Sequence, residues 1–251
     1  MLNGYKLIAV CLTKIQDEVT YEFIDALYQT VKGSDYRLLL FNSFSDLYHQ
    51  NVYDEGAKSI YQLLNYDLVD AVIIKADTIN DHQVIRDLIA RAKERQIPVI
   101  LLNMKAEGCY SIVPSYENVF SQLIEHVIKV HHKRKLYFLS GSMGESNSML
   151  REKIFRETLR DCGIDPQTAK VAYGEYWYGP AERAVENWIQ SGDLPEAIIC
   201  ANDAMAVAAC KVLKRHGIRV PEDIIVTGFD GVPSYQFHRP ALSTCTRTSS
   251  V

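Results

Sequence analysis

The stretch AIICANDAMAVAACKVLKRHGIRVPEDIIVT, residues 197–227, contains the elements that decide the fold. Its apolar run Ala197–Cys200 predicts a short buried strand. Next, apolar residues recur with helical spacing at Met205, Ala209, Val212 and Leu213. Gly217 stands where a helix commonly ends in a left-handed residue, and Ile224–Thr227 predicts a second strand. Strand, helix and strand in this order predict a parallel β-α-β unit.

The same alternation extends over the whole chain. Short apolar runs are each followed by a longer stretch with helical period, as is typical of parallel α/β sheets. The other predicted strands are Lys6–Leu12, Arg37–Phe41, Val69–Ile74, Val99–Leu102, Tyr110–Val113, Leu136–Leu139 and Lys170–Tyr173. Further helical faces are predicted at Ile24, Leu27, Tyr28 and Val31, and at Val119, Leu123 and Val127.

The alternation pauses between Leu102 and Pro114, which predicts a boundary between two lobes. We expect an amino-terminal lobe at residues 1–112, a carboxy-terminal lobe at 113–240 and a return crossover at 241–251. Each lobe is expected to contain about four parallel strands flanked by helices. Ligands of open parallel sheets bind beyond the carboxyl ends of the strands, so the informative side chains should follow strands.

Composition narrows the function. The 251 residues are 47% hydrophobic, and 27 Lys and Arg face 31 Asp and Glu, a net charge of −4. This balance offers no broad cationic face for nucleic acid. There is no apolar run of the roughly 18 residues that cross a membrane, and the amino terminus does not look like a signal peptide. The six cysteines lack disulfide or zinc spacing, so we expect reduced thiols in a cytoplasmic protein.

Catalytic and metal-binding patterns are also missing. The segment Gly141-Ser142-Met143-Gly144 has neither the spacing of a nucleophile elbow nor the ending of a P-loop. His131 and His132 stand beside three cations, which makes a poor metal site. The sequence therefore predicts no catalytic residue, no metal site and no cofactor.

Two motifs of the second half point to a family. They are Asn202-Asp203-x-Met205-Ala206 and the stretch from Val220-Pro221-Glu222-Asp223 to Gly228-Phe229-Asp230, and Pro240-Ala241-Leu242-Ser243-Thr244 follows them. With these motifs the chain resembles the effector-binding domain of the LacI/GalR regulators, which shares its fold with periplasmic sugar-binding proteins. The resemblance covers almost the whole chain and is more specific after Lys135. It implies the periplasmic-binding-protein type I fold, with a ligand cleft between the lobes.

Carried over residue by residue, the resemblance places pocket positions on Arg151, Tyr176, Asn202 and Asp230, with Trp177 as a neighbouring aromatic candidate. The guanidinium donates to oxygens, the carboxylate accepts from hydroxyls and the amide does both. An aromatic face covers a sugar or stacks on a base. Structural alternatives stay open: a solvated helix residue for Arg151, a helix cap for Asn202, and an Asx-turn for Asp230. For the adjacent Asp203 a helix cap is the favoured interpretation.

The first lobe gives weaker signals. Its strand ends carry Lys14, Asn42 and Lys75, which we include as ligand candidates. Pro114-Ser115 stands where the family often has an Asp, so the ligand is expected to differ from that of typical sugar-responsive members. Phe237 and His238 are further candidates for closing the cleft.

The resemblance implies a small-molecule sensor, not an enzyme, in which a small polar ligand such as a sugar, a nucleoside or a purine closes the lobes. Family members form side-by-side homodimers and carry a helix-turn-helix segment before the first strand, which this chain lacks, so we expect no direct contact with DNA or with a membrane. The alternatives are an extracytoplasmic solute-binding receptor and a sensor fused to a carboxy-terminal signalling domain. An α/β enzyme is a third class. The sequence leaves the ligand open.

Overall fold

The structure is a computed structural model that describes residues 4–44, 52–79, 81–113, 115–232, 235 and 240–245. The chain divides into two compact units, Met1–Pro114 (the first unit) and Ser115–Val251 (the second unit). Each unit contains its own parallel sheet and its own hydrophobic core.

The first unit is built on five parallel strands in the order β2-β1-β3-β4-β5. The strands are β1 (Lys6–Thr13), β2 (Tyr36–Ser43), β3 (Ala71–Lys75), β4 (Val99–Leu102) and β5 (Tyr110–Ile112). The helices are α1 (Glu18–Val31), α2 (Val52–Lys58), α3 (Ala76–Ile79) and α4 (His82–Glu94). The central strands β1 and β3 are buried along most of their length, as expected for strands covered on both faces.

The second unit has four parallel strands in the order β7-β6-β8-β9. They are β6 (Leu136–Ser140), β7 (Val171–Tyr173), β8 (Ala197–Cys200) and β9 (Ile225–Thr227). The helices are α5 (Glu117–Lys129), α6 (Ser146–Asp161), α7 (Tyr178–Gln190) and α8 (Asp203–Arg215). Beyond β9, a parallel bridge joins Thr227 to Ser243, so the segment predicted as a return crossover lies beside this edge of the sheet.

The core of the second unit shows why these residues form these elements. All four residues of β8 are buried, and the small side chains of α8 pack against the sheet through Ala204, Ala208 and Ala209. Phe138 on β6 stacks on Phe155 of α6, with ring centroids 5.1 Å apart. Small residues on α8 and large rings on β6 and α6 thus belong to one buried core.

Most sequence predictions about elements are confirmed, and β4 and β8 have the predicted bounds. Gly163 and Gly217 have φ of +68° and +73°, as expected after helices. The predicted face of α5 is correct at Val127, which is buried, but wrong at Val119, which is exposed while Phe120 and Ile124 are buried. The short strand predicted at Tyr110–Val113 forms β5, so the first unit has five strands where about four were expected. None of the helices in the described residues is long and apolar enough to span a membrane.

Candidate functional site

The carboxyl ends of β6, β7, β8 and β9 carry the sequence-predicted residues of the second unit. These strands are neighbours in the second sheet, so the loops that follow them meet at one edge. Ser140 at the end of β6 and Thr227 at the end of β9 are buried, and their hydroxyl oxygens have no hydrogen-bond partner among the described residues. Buried polar atoms are usually paired, so this edge has unused hydrogen-bonding capacity.

Arg151 is the central side chain of this edge. It lies in the second turn of α6 and is only 1% exposed, the largest of the fully buried side chains. One terminal nitrogen donates to the carbonyl oxygen of Ala201. The guanidinium carbon lies 4.6 Å from the ring centroid of Phe229, 5.0 Å from that of Tyr116 and 5.8 Å from that of Tyr176. Three aromatic rings therefore hold the cation by cation–π attraction while it is removed from water.

The guanidinium of Arg151 has hydrogen-bonding capacity that the described residues do not use. Its Nε is buried and has no hydrogen-bond partner in the part of the chain that the structure describes. Its second terminal nitrogen lies 4.0 Å from Oδ1 of Asp230, too long for a hydrogen bond. Because an unsatisfied buried donor is costly, a ligand oxygen that accepts from Arg151 would be strongly favoured.

Asp230 follows β9 in a strained conformation. Its φ of 124° lies in the region that favours glycine, so its neighbours must hold it there. Its amide donates to Cys245 O at 3.0 Å, and the amide of Gly228 donates to Ser243 O at 2.9 Å. The segment beyond the sheet thus fixes the loop that carries Asp230.

Asp203 has a different role from the one predicted. Its buried carboxylate accepts from Val232 N at 2.8 Å and from Thr244 Oγ1 at 2.6 Å, so it fastens the Asp230 loop and not the helix. The cap of α8 is Asn202, whose Oδ1 accepts from Met205 N at 3.0 Å. The sequence assigned the cap to Asp203, but Asn202 has the extended backbone that places an oxygen over the first turn.

The Asn202 amide also makes a long-range contact. Its Nδ2 donates to Tyr176 O at 3.2 Å, which joins the loop after β8 to the loop after β7. Tyr176 has a φ of 56°, and its hydroxyl lies 3.0 Å from Glu145 Oε2 and 2.9 Å from Ser148 Oγ. Burial raises the pKa of Tyr176 above its usual value, so the phenol stays neutral.

Gly141 makes room for this ring. A Cβ at position 141 would lie 2.0 Å from Tyr176 Cζ, so only glycine fits. Trp177 differs from its neighbour, because it is 58% exposed and contacts the ring of Tyr178 at a centroid distance of 5.3 Å. The structure therefore brings Arg151, Tyr176, Asn202 and Asp230 together, and it leaves Trp177 at the surface of the same loop.

The candidates of the first unit are engaged with their own loops. Asn42 Oδ1 accepts from Ile15 N at 2.9 Å, and Lys75 Nζ pairs with Asp77 Oδ2 at 2.8 Å in a largely buried position. Lys14 has a φ of 52° directly after β1, and its amide donates to Ser43 O. These contacts favour a structural role for Asn42 and Lys75, and their role in ligand binding stays a prediction.

Sequence reasoning missed three residues that shape the site, Tyr116, Glu145 and Phe229. It also missed the role of Asp203 in fastening the Asp230 loop. Phe229 could have been predicted from the sequence, because it directly precedes Asp230 in the quoted motif. Tyr116 contacts Phe229 edge-on at 5.4 Å across more than a hundred positions, which no local pattern signals. The predictions on Pro114, Phe237 and His238 lie outside the described residues.

The side chains at this edge of the sheet are suited to binding a small molecule. A planar donor, a carboxylate acceptor and aromatic faces suit a ligand with hydroxyls or ring nitrogens. Within the described residues no group of His, Cys, Asp and Glu could hold a metal ion.

Comparison with known proteins agrees with the fold. A family model described as a periplasmic binding protein-like domain matches residues 124–248. The HTH-type transcriptional repressor PurR of Photobacterium profundum is 27% identical over 244 residues, which are 96% of this chain and 70% of that protein. The chain contains a periplasmic binding protein-like domain and is homologous to the LacI/GalR repressors.

Solved structures show that this periplasmic binding protein-like chain has the type I fold. A LacI family regulator, CcpA from Weissella paramesenteroides with bound sucrose, matches with a TM-score of 0.80 at 20% identity, over 96% of this chain and 86% of that one. The dimeric Lac repressor with an 11-residue carboxy-terminal deletion matches with a TM-score of 0.76 at 21% identity, over 95% and 83% of the two chains.

Proposed function

We propose that this chain is the effector-sensing part of a LacI-like transcriptional regulator, and that Arg151 and Asp230 bind a small polar ligand. The observation that supports this proposal most strongly is the environment of Arg151. Its guanidinium is buried between aromatic rings, and its Nε has no hydrogen-bond partner among the described residues. A protein gains nothing in stability from such a donor, whereas a binding site gains a directed contact.

The proposed ligand is a sugar, a nucleoside or a purine. The guanidinium donates to its oxygens or ring nitrogens, Asp230 accepts from its hydroxyl or amino groups, and Tyr176 and Trp177 provide apolar faces. The relatives support the regulator over a transport receptor or an enzyme, because those cited are named transcriptional repressors or regulators. We propose no cofactor and no catalysis. Ligand-driven closure of the two lobes and a cytoplasmic location stay predictions.

We also propose a homodimer, with the first unit as one contact surface. Its edge strand β2 exposes Leu39 and Leu40, and helix α1 exposes Tyr21 and Tyr28 at 60% and 50%. Long exposed apolar edges are normally covered, and such patches mark interfaces. In sedimentation velocity, Leu40→Asp is expected to shift the protein towards monomer, and Val130→Asp, at an exposed apolar position of the second unit, is the control. Unchanged sedimentation of Leu40→Asp would remove this surface from the proposal.

The ligand test is a thermal-shift screen against sugars, nucleosides and bases, followed by calorimetry on the strongest ligand. A ligand at 100 times its dissociation constant stabilises the fold by about 2.7 kcal/mol. We expect Arg151→Lys and Asp230→Asn to weaken binding at least about tenfold, since each loses a directed contact of about 1.5 kcal/mol or more. Lysine keeps the charge but loses the planar fork.

Matched controls lie in the same unit. Arg156, one turn and a half further along α6, pairs with Glu152 at the surface, and Asp223 pairs with Arg219. Arg156→Lys and Asp223→Asn should bind the ligand like the unchanged protein. If Arg151→Lys and Asp230→Asn also bind normally, the ligand site is elsewhere.

A further inference from the structure

The amino terminus of α6 lies directly beyond β6, beside the candidate site. Helix α6 has 16 residues, and Arg151 projects from it. The first amides of a helix of this length point outward with a partial positive charge, and they commonly bind phosphate or carboxylate groups. In this chain those amides are already occupied by an acidic side chain.

Glu145 is that side chain. Its Oε1 accepts from the backbone N and from Nδ2 of Asn147, both at 2.9 Å. Its Oε2 accepts from Ser148 N at 2.8 Å, and it lies 3.0 Å from both Ser148 Oγ and the Tyr176 hydroxyl. Five donors therefore surround one carboxylate. An incoming anion would have to displace Glu145 or stand against its charge.

The carboxylates around Arg151 also disfavour the binding of an anion. Among the described residues, the loops and first helical residues that follow the strands of the second unit carry four carboxylates, Glu145, Glu175, Asp203 and Asp230, and the cation of the candidate site is Arg151. Tyr176 links Glu145 to the cation, because its hydroxyl contacts the carboxylate and its ring centroid lies 5.8 Å from the guanidinium carbon. Like charges brought together at a binding site are strongly unfavourable.

We propose that Glu145 acts as an internal anion that fills the amino terminus of α6 and selects ligands without a phosphate or other anionic group. Resting on the proposed function, this narrows the ligand class to neutral or cationic molecules, such as a free sugar or a nucleoside in preference to its phosphate ester. Glu145 is then a specificity-determining residue that shapes the site through Tyr176 and the helix amides.

The first arm of the test uses inorganic phosphate and needs no knowledge of the natural ligand. Thermal midpoints of the full chain are recorded over a phosphate series and over potassium chloride at matched ionic strength, for the unchanged protein and for Glu145→Ser and Glu145→Gln. Serine is itself a favoured helix cap, so α6 keeps its start when the carboxylate is removed. Glu125→Gln, which removes an exposed carboxylate on α5, is the matched control.

We expect phosphate to act on the unchanged protein and on Glu125→Gln no more than chloride does. Glu145→Ser should gain a saturable stabilisation by phosphate, and Glu145→Gln a weaker one. Saturable stabilisation of the unchanged protein by phosphate, or no gain in Glu145→Ser, would overturn the proposal.

The second arm compares a neutral ligand with its phosphate ester. The unchanged protein should bind the neutral member at least about tenfold more tightly, and Glu145→Ser should reduce this preference. Equal binding of both members by the unchanged protein contradicts the role of Glu145. The proposed function fails separately, if Arg151→Lys leaves binding of the neutral member unchanged.

Discussion

The two units differ in how the polar side chains that follow their strands are hydrogen-bonded. In the first unit, Asn42 holds the loop after β1 and the cation of Lys75 is paired with Asp77, although Oδ1 of Asp77 is buried without a hydrogen-bond partner among the described residues. In the second unit, Arg151 is buried more deeply, yet its Nε has no hydrogen-bond partner among the described residues. Burial of a charged residue does not by itself indicate a binding site. The proposed ligand site therefore rests on the unused buried donor, Nε of Arg151.

The largest expected effect separates these two cations. Arg151→Met and Lys75→Met each leave a carboxylate without its cationic neighbour, and we expect each to lower the free energy of unfolding by about 3 kcal/mol. Only Arg151→Met is expected to abolish ligand binding. Urea unfolding measures the first quantity and calorimetry the second. Loss of binding in Lys75→Met, with Arg151→Met still active, would reverse the comparison between the units.

The next effect concerns a glycine in each unit. Gly141→Ala places a methyl group within 2.5 Å of both Tyr176 and Ser148, and we expect a loss of about 2 kcal/mol from overpacking, together with weaker ligand binding. Gly56→Ala, on helix α2 with no described residue within 4 Å of the new Cβ, should be neutral or stabilising by about 0.5 kcal/mol. Thermal melts of both variants decide this, and a Gly141→Ala protein as stable as Gly56→Ala would show that the ring of Tyr176 can move aside.

Substitutions of the helix caps are expected to have smaller effects on stability, and these effects should be similar in the two units. Asn202 caps α8 and Asp81 caps α4, so Asn202→Ala and Asp81→Ala should each cost about 1 kcal/mol in chemical denaturation. Asn202→Ala should also weaken ligand binding, because it releases the carbonyl of Tyr176. Identical binding by both variants would restrict Asn202 to its capping role.

The smallest effect is a pH dependence far from the site. Hydrogen bonds from Lys135 and Lys170 hold the pKa of Asp193 well below its usual value. A lowered pKa in the folded state stabilises the protein above the ordinary pKa of about 4, and this stabilisation is lost as the pH falls below it. Asp193→Asn should therefore unfold more easily at neutral pH, and its midpoint should approach that of the unchanged protein in acid. Ligand binding at neutral pH should stay the same. If the two proteins still differed in stability in acid, the difference would have a cause other than the ionised carboxylate of Asp193.

The two corrections have physical reasons. On α5, Val119 and Leu123 fit a helical period as well as Phe120 and Ile124 do, and only the position of the sheet decides which set is buried. At the junction before α8, Asn202 and Asp203 are both good caps. The choice depends on which residue keeps an extended backbone, and on the contacts of the other with Val232 and Thr244.

Local periodicity and turn chemistry in the sequence were enough to predict the alternation of strands and helices, the parallel sheets and the positions after strands where polar residues gather. The family resemblance of the sequence implied the grouping of Arg151, Tyr176, Asn202 and Asp230. The fold was needed to show that Tyr116, Tyr176 and Phe229 surround Arg151, that Glu145 contacts Tyr176 at the start of α6 and that Asp203 fastens the loop of Asp230. These contacts join residues far apart in the chain, and whether a buried donor finds a partner depends on where the fold places its neighbours.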